Sequence, residues 1–151
     1  MAKRPEPSLR VRAMKYLARR EHSRAELHTK LQAYAQEGDD LERVLDELED
    51  RDWLSDARAA ALLVSSKRNR FGAQRIAYEL RQRGIAESLI DAVLPQLQGA
   101  ELEAARAVWQ KKFSALPQDA KEKARQVRFL QSRGFSLEVI FSVLRHTRSD
   151  D

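Results

Sequence analysis

The residues of this 151-residue chain whose types could do chemistry are its glycines, its histidines and a cluster of acids. The five glycines, Gly38, Gly72, Gly84, Gly99 and Gly134, stand alone, and no Gly-Lys-Ser or Gly-Lys-Thr accompanies any of them. A phosphate-cradling loop needs clustered glycines, so nucleotide hydrolysis has no foundation. His22 and His28 lie six residues apart across an expected helix start and His146 sits near the C-terminal end, so none forms the i, i+4 pair that places two imidazoles on one metal. They read as surface histidines. With no cysteine there is no thiolate ligand, no disulfide and no sulfur nucleophile. Glu42, Asp46, Glu47, Glu49 and Asp50 would crowd one helix, where flexible carboxylates form a solvated face rather than a divalent-cation site. The expectation is a protein without catalytic residues, cofactor or metal, acting by binding.

Cations carry the binding hypothesis. The net charge is +5, but it is segmented. Residues 37 to 56 hold ten acids against Arg43 and Arg51, whereas residues 67 to 83 hold Lys67, Arg68, Arg70, Arg75, Arg81 and Arg83 against Glu79. Such segmentation favours an oriented contact over uniform attraction. Lys121, Arg125 and Arg128 sit at i, i+4, i+7 and project from one side of a helix. Arg68, Arg70, Arg75, Arg81, Arg83, Lys121, Arg125 and Arg128 are therefore the candidate binding residues. Guanidinium and aromatic groups together can take phosphates and bases, or grip the carboxylates of a protein partner. Arg75, Glu79 and Arg83, at i, i+4, i+8, could equally satisfy one another.

The elements that must position these residues are helices. Four prolines and five glycines leave little punctuation, and strong helix formers dominate. Val11, Met14, Leu17 and Ala18 mark a first helix; Ser23 to Glu26 forms a capping box opening a second, which Gly38 ends. Asp39 or Asp40 caps a third, striped by Leu41, Val44, Leu45 and Leu48, and Trp53 to Asp56 closes the unit and caps the next helix. The order recurs twice, over residues 56–67, 72–83 and 86–97, then 101–113, 119–133 and 136–145. Copies two and three share Leu-x-x-Arg-Gly-apolar, Leu80 to Ile85 and Leu130 to Phe135, a spacing suited to a left-handed glycine exit. Ile90, Val93 and Leu94 then match Ile140, Val143 and Leu144 in register, while copy one lacks the exit. In that register Phe71, Arg75 and Tyr78 of copy two fall opposite Lys121, Arg125 and Arg128.

The fold expected is all-α, three tandem three-helix repeats in an elongated or crescent-shaped array. The repeats run over residues 9–54, 55–98 and 99–146, between a flexible basic arm at 1–8 and a tail at 147–151. Trp53, Trp109, Tyr16, Phe113, Phe129 and Phe141 belong to apolar helical patterns and are expected to pack inside, with Phe71 partly exposed. The longest apolar run, Ala59 to Val64, is far short of the roughly 18 residues a membrane span needs. A cytoplasmic protein is expected.

Several stretches taken together are distinctive: Ala13 to Arg20 with Ser23 to Leu27 after it, then Leu45 to Leu48 before Trp53 to Asp56. They continue in Phe71-Gly72 before Arg75-Ile76, in Glu79 to Ile85, and in Ala124-Arg125 with Phe129 to Phe135. In these stretches the chain resembles the RecX family, bacterial regulators of the RecA recombinase. The resemblance implies tandem three-helix repeats that bind the RecA filament on DNA and inhibit its ATPase and strand exchange in recombination, DNA repair and the SOS response, without chemistry of their own. Set beside it is a stand-alone protein for single- or double-stranded DNA, using the basic face of repeats two and three. A monomer is expected.

Overall fold

The computed structural model describes residues 6–145, so His146, the start of the basic arm and the tail lie outside the described residues. These residues form eight helices and, among them, no strand. They divide by contact into two compact units, Met1–Leu62 with Gln82–Ile85, and Leu63–Arg81 with Ala86–Asp151.

In the first unit α1 spans Leu9–Arg19, α2 Arg24–Gln32 and α3 Leu41–Asp50, and α4, Asp56–Lys67, begins there. Each start is written locally. The Ser8 hydroxyl accepts from the Val11 amide at 3.2 Å, and Glu6 pairs with Arg12 at 2.7 Å, tying the end of the expected arm to α1. Ser23 and Glu26 form the full capping box. Asp40 caps α3 and Ser55 caps α4. Leu9, Ala13, Leu27, Leu31, Leu45, Leu48 and Leu54 close a leucine core between these helices. Burying each leucine removes a side chain from water, worth about 1.5–3 kcal/mol.

Three details differ from what the spacing predicts. Helix α2 stops at Gln32 and Gly38 turns the chain six residues later, at φ +91°, because Ala33 to Ala35 close as overlapping turns. At the end of α3, Asp52 stands in the left-handed region at φ 62°, with the Trp53 amide bonded to the Leu48 carbonyl at 2.9 Å and the Asp52 amide to Glu49 at 2.9 Å. That is a Schellman ending built on an aspartate where glycine is the usual occupant. Trp53 is 40 % exposed rather than packed inside, its indole flanked by Arg10 and Arg51.

In the second unit α5 spans Ala73–Gln82, α6 Glu87–Lys112, α7 Ala120–Ser132 and α8 Leu137–Arg145. The two helices expected at 86–97 and 101–113 are one continuous helix. Gly99 ends nothing because it lacks the positive φ of an exit turn and precedes the helix formers Ala100 and Glu101, and Pro95 is carried within the helix on an exposed side. The core holds Ala104, Ala105, Val108, Trp109, Phe113, Leu130, Phe135, Ile140, Val143 and Leu144. Trp109 donates its indole N–H to buried Gln126 at 2.8 Å, satisfying both groups.

The Leu-x-x-Arg-Gly turns are the joints between successive repeats. At the end of α7 the Phe135 amide reaches the Leu130 carbonyl at 3.3 Å and the Gly134 amide reaches Gln131 at 2.9 Å, the double bond of a Schellman motif. Gly84 and Gly134 have φ of +75° and +87°. Each exit lies on the start of the preceding repeat's second helix. A side chain on Gly84 would strike Ala25, and one on Gly134 would strike Arg75. The carbonyl before each glycine is captured there too, Arg83's by the Ser23 hydroxyl and Arg133's by the Gly72 amide at 2.7 Å. Gly72 sits so close that a Cβ would overlap the backbone of Gly134 and Phe135.

Candidate functional site

The acidic helix α3 is organised by one cation. Arg24, the first residue of α2, donates to Glu42 and Asp46 at 2.8 Å each and also to Glu49, so three carboxylates converge on its guanidinium. Burial lowers its pKa most among the single influences, but the three carboxylates together raise it above the usual arginine value. Arg43 and His28 engage Glu47 and Glu42 as well. The segment is exposed, as a solvated face is expected to be, and its carboxylates also form an inter-helix ion network. Among the described residues no three histidine or acidic side chains converge as a metal-ligand set.

His22, expected at the surface, is 1 % exposed. Its Nδ1 lies 3.1 Å from the Arg20 carbonyl and its Nε2 2.8 Å from the Lys30 ammonium. The ring therefore donates at Nδ1 and accepts at Nε2 as a neutral imidazole. Burial, with Arg20 and Lys30 nearby, holds its pKa below the ordinary histidine value, outweighing the Arg20 carbonyl and Glu26.

The second unit gathers cations around aromatic rings. Phe71, half-buried before α5, has Arg75 4.4 Å, Lys67 5.1 Å, Arg133 5.4 Å and Arg70 5.6 Å from its ring centroid. Lys67 and Arg75 are partly neutralised by Glu79, at 3.0 and 3.9 Å. Arg75 also donates to the Ser132 carbonyl at 3.0 Å, holding α5 to the end of α7. Arg133 lies over a second ring, Phe129, at 5.2 Å, and Lys112 over the same ring at 5.5 Å. Such contacts hold cations against apolar surface at about 0.5–2 kcal/mol each.

Beside these rings opens a cleft of about 270 Å³, lined by Arg70, Lys111, Lys112 and Arg133 over Val108 and Phe129. Among the described residues no carboxylate lies at ion-pairing distance from any of the four cations. Its frame is rigid. The buried carboxylate of Glu101 on α6 accepts from the Ala73 amide at 3.2 Å and from the Ser136 backbone, pinning the starts of α5 and α8 to α6. Burial raises its pKa and those two amides oppose the rise.

The candidate residues divide accordingly. Arg70 and Arg75 join the Phe71 cluster. Arg81 pairs with Glu87 at 2.9 Å, and Arg125 pairs with Glu122 at 2.8 Å while lying 5.1 Å from the Phe113 ring. Arg83, in the first unit, gives its carbonyl to the Ser23 joint. Arg68, Lys121 and Arg128 are exposed, with no carboxylate partner among the described residues. Lys111, Lys112 and Arg133 are cleft residues that spacing alone does not single out. In the sequence Arg133 shows only as part of the exit motif, and the two lysines only as a pair at a helix end.

The class these features define is a tandem three-helix-repeat protein with a cationic, aromatic-lined cleft. Comparison narrows it. Residues 10–48, 55–94 and 100–144 match the family models of the first, second and third three-helix domains of RecX. The chain is 49% identical over 142 residues to the regulatory protein RecX of Leptothrix cholodnii, covering 94% of this chain and 90% of that one. It is 41% identical over 147 residues to that of Neisseria meningitidis serogroup B, covering 97% and 95%. A crystal structure of RecX from Lactobacillus salivarius superposes with a TM-score of 0.76 at 22% identity, over 92% of this chain and 94% of that one, a likeness of fold. The chain belongs to the RecX family of regulatory proteins.

Proposed function

We propose that this chain is a cytoplasmic, monomeric regulator that binds the RecA filament on DNA and restrains its ATPase and strand exchange, with no chemistry of its own. The observation that supports this reading is the succession of all three RecX domains along a single chain. Exposed cations without ion-pair partners, Arg68 and Arg70 beside α5 and Lys121 and Arg128 on α7, supply charge for an acidic protein or nucleic-acid surface. The mechanism is steric and electrostatic: helical repeats laid on the filament obstruct incoming duplex or subunit addition. The test is the RecA ATPase on single-stranded DNA, titrated with the purified protein. Inhibition well below one protein per RecA subunit is expected, weakened by charge reversal at Arg125 and Arg128. A flat titration refutes the proposal.

A second reading, direct DNA binding without RecA, draws on the cations gathered around Phe71 and Phe129. It predicts DNA affinity in the absence of RecA that falls steeply with salt.

A further inference from the structure

The cleft between α6 and the end of α7 has a composition that general attraction to acidic surfaces does not require. Four cations, Arg70, Lys111, Lys112 and Arg133, surround an apolar floor made by buried Val108 and half-buried Phe129. A purely solvated basic patch has no such floor, and a purely apolar cleft has no such rim. At about 270 Å³ it lies just under the size of pockets for drug-sized ligands, roughly 300–1,000 Å³, and so fits one compact group rather than a folded surface. The cation arrangement is also partly fixed beforehand. The Arg133 guanidinium is held between the Phe71 and Phe129 rings at 5.4 and 5.2 Å, and Lys112 rests over Phe129 at 5.5 Å. The Arg133 backbone is locked as well, through the Gly72 amide on its carbonyl. An anion entering the cleft meets cations that have given up part of their rotamer freedom already, which lowers the cost of ordering them.

A ligand with a strong, multiply charged oxyanion attached directly to a flat or apolar body matches this pairing of rim and floor. Carboxylates offer single charges on flexible stems. A phosphate joined to a sugar and base offers both parts within one unit. We infer that the cleft bounded by Arg70, Lys111, Lys112 and Arg133 is a nucleotide site, taking the phosphate on the four cations and the sugar or base against Val108 and Phe129. The same chemistry is presented by one unit of a single strand and by a free nucleotide. This inference deepens the DNA-binding reading above by giving it a site, and is independent of contact with RecA.

The test uses the full chain without RecA and tracks the anisotropy of a fluorescein-labelled oligothymidylate of about eight nucleotides, within the span one small module covers. Lys111→Gln with Lys112→Gln removes two exposed cations from the rim. Lys15→Gln with Arg19→Gln, on α1, removes the same charge elsewhere and serves as the control. The cleft variant is expected to bind about tenfold more weakly, with its salt slope reduced by about 1.4 if both lysines meet phosphates, whereas the control changes less than about twofold. Competition assigns the source. Displacement by dTTP at concentrations near its own Kd identifies a free-nucleotide site, and resistance to dTTP identifies a strand site. Equal weakening of the two variants overturns the inference in favour of a diffuse field. Displacement by polyglutamate as effective as by unlabelled oligothymidylate overturns it in favour of an acidic protein partner. Oligothymidylate binding untouched by the cleft variant removes the site alone and leaves the DNA-binding reading standing. No binding of oligothymidylate, dTTP or duplex removes both.

Discussion

Replacing Gly72 by alanine tests the joint between the second and third repeats. The new Cβ would overlap the carbonyl of Gly134 and the amide of Phe135, which are backbone atoms and cannot rotate aside. Restoring ordinary carbon contacts of about 3.5–4.0 Å requires the two segments to part by more than about 1 Å. That movement breaks the 2.7 Å bond from the Gly72 amide to the Arg133 carbonyl, costing about 1 kcal/mol. It also disturbs packing around buried Phe135 and Ala73, at about 1–3 kcal/mol for overpacking. Together these give a loss of about 3 kcal/mol, a fall in melting temperature of about 6–12 °C for a chain of this size. The comparison is Gly99→Ala, where the added methyl meets open space within helix α6. It should stabilise by about 0.5–1 kcal/mol through helix propensity. Thermal unfolding monitored by helical circular dichroism reads both. A melting temperature for Gly72→Ala equal to or above the parent's would show that the close approach does not exist.

His22 and Pro95 give two further tests. Because burial and two cations depress the folded pKa of His22 below its unfolded value, its contribution to stability is present above about pH 6.5 and is lost as pH falls through the folded value. The urea midpoint should therefore drop between pH 7.5 and pH 5, and His22→Gln should flatten that slope; an unchanged slope in the variant would assign the pH dependence to other groups. Pro95→Ala should restore the hydrogen bond Asp91 lacks and raise stability by about 2 kcal/mol, somewhat less than the roughly 3 kcal/mol cost of an interior proline because the unfolded chain is also freed. A lower melting temperature for that variant would contradict a continuous α6.

Local chemistry is legible in the sequence and distant convergence is not. The capping box at Ser23, an α3 cap at Asp39 or Asp40, the bounds of α4 and the left-handed glycines at 84 and 134 all depend on residues within a turn of one another. Their physics is complete at that range. The continuity of helix α6 is hidden because proline and glycine four residues apart look like punctuation, and the sequence does not reveal that packing of Leu97, Glu101 and Ala104 continues the helix through them. His22 reads as polar surface until Lys30 and the Arg20 carbonyl are seen to satisfy both ring nitrogens. The cleft joins Arg70, Lys111 and Arg133 across three stretches of chain, so no spacing rule could find it. The nearest signal is the i, i+4 placement of Arg75, whose ring contact with Phe71 places that cluster at the joint.

The two joints, one in each unit, share a polarity. Each clasp is lent by the exit turn of one repeat and received by the second-helix start of the repeat before it: Ser23 receives Arg83, and Gly72 receives Arg133. The first repeat's own exit, from Ala33 to Gly38, clasps no helix start among the described residues, and it is the exit in which Leu-x-x-Arg-Gly is missing. The motif therefore marks docking as well as helix termination. The Gly72 amide is bonded to the next repeat and not to its own helix, so its hydrogen exchange reports whether the third repeat is seated, separately from whether α5 is folded.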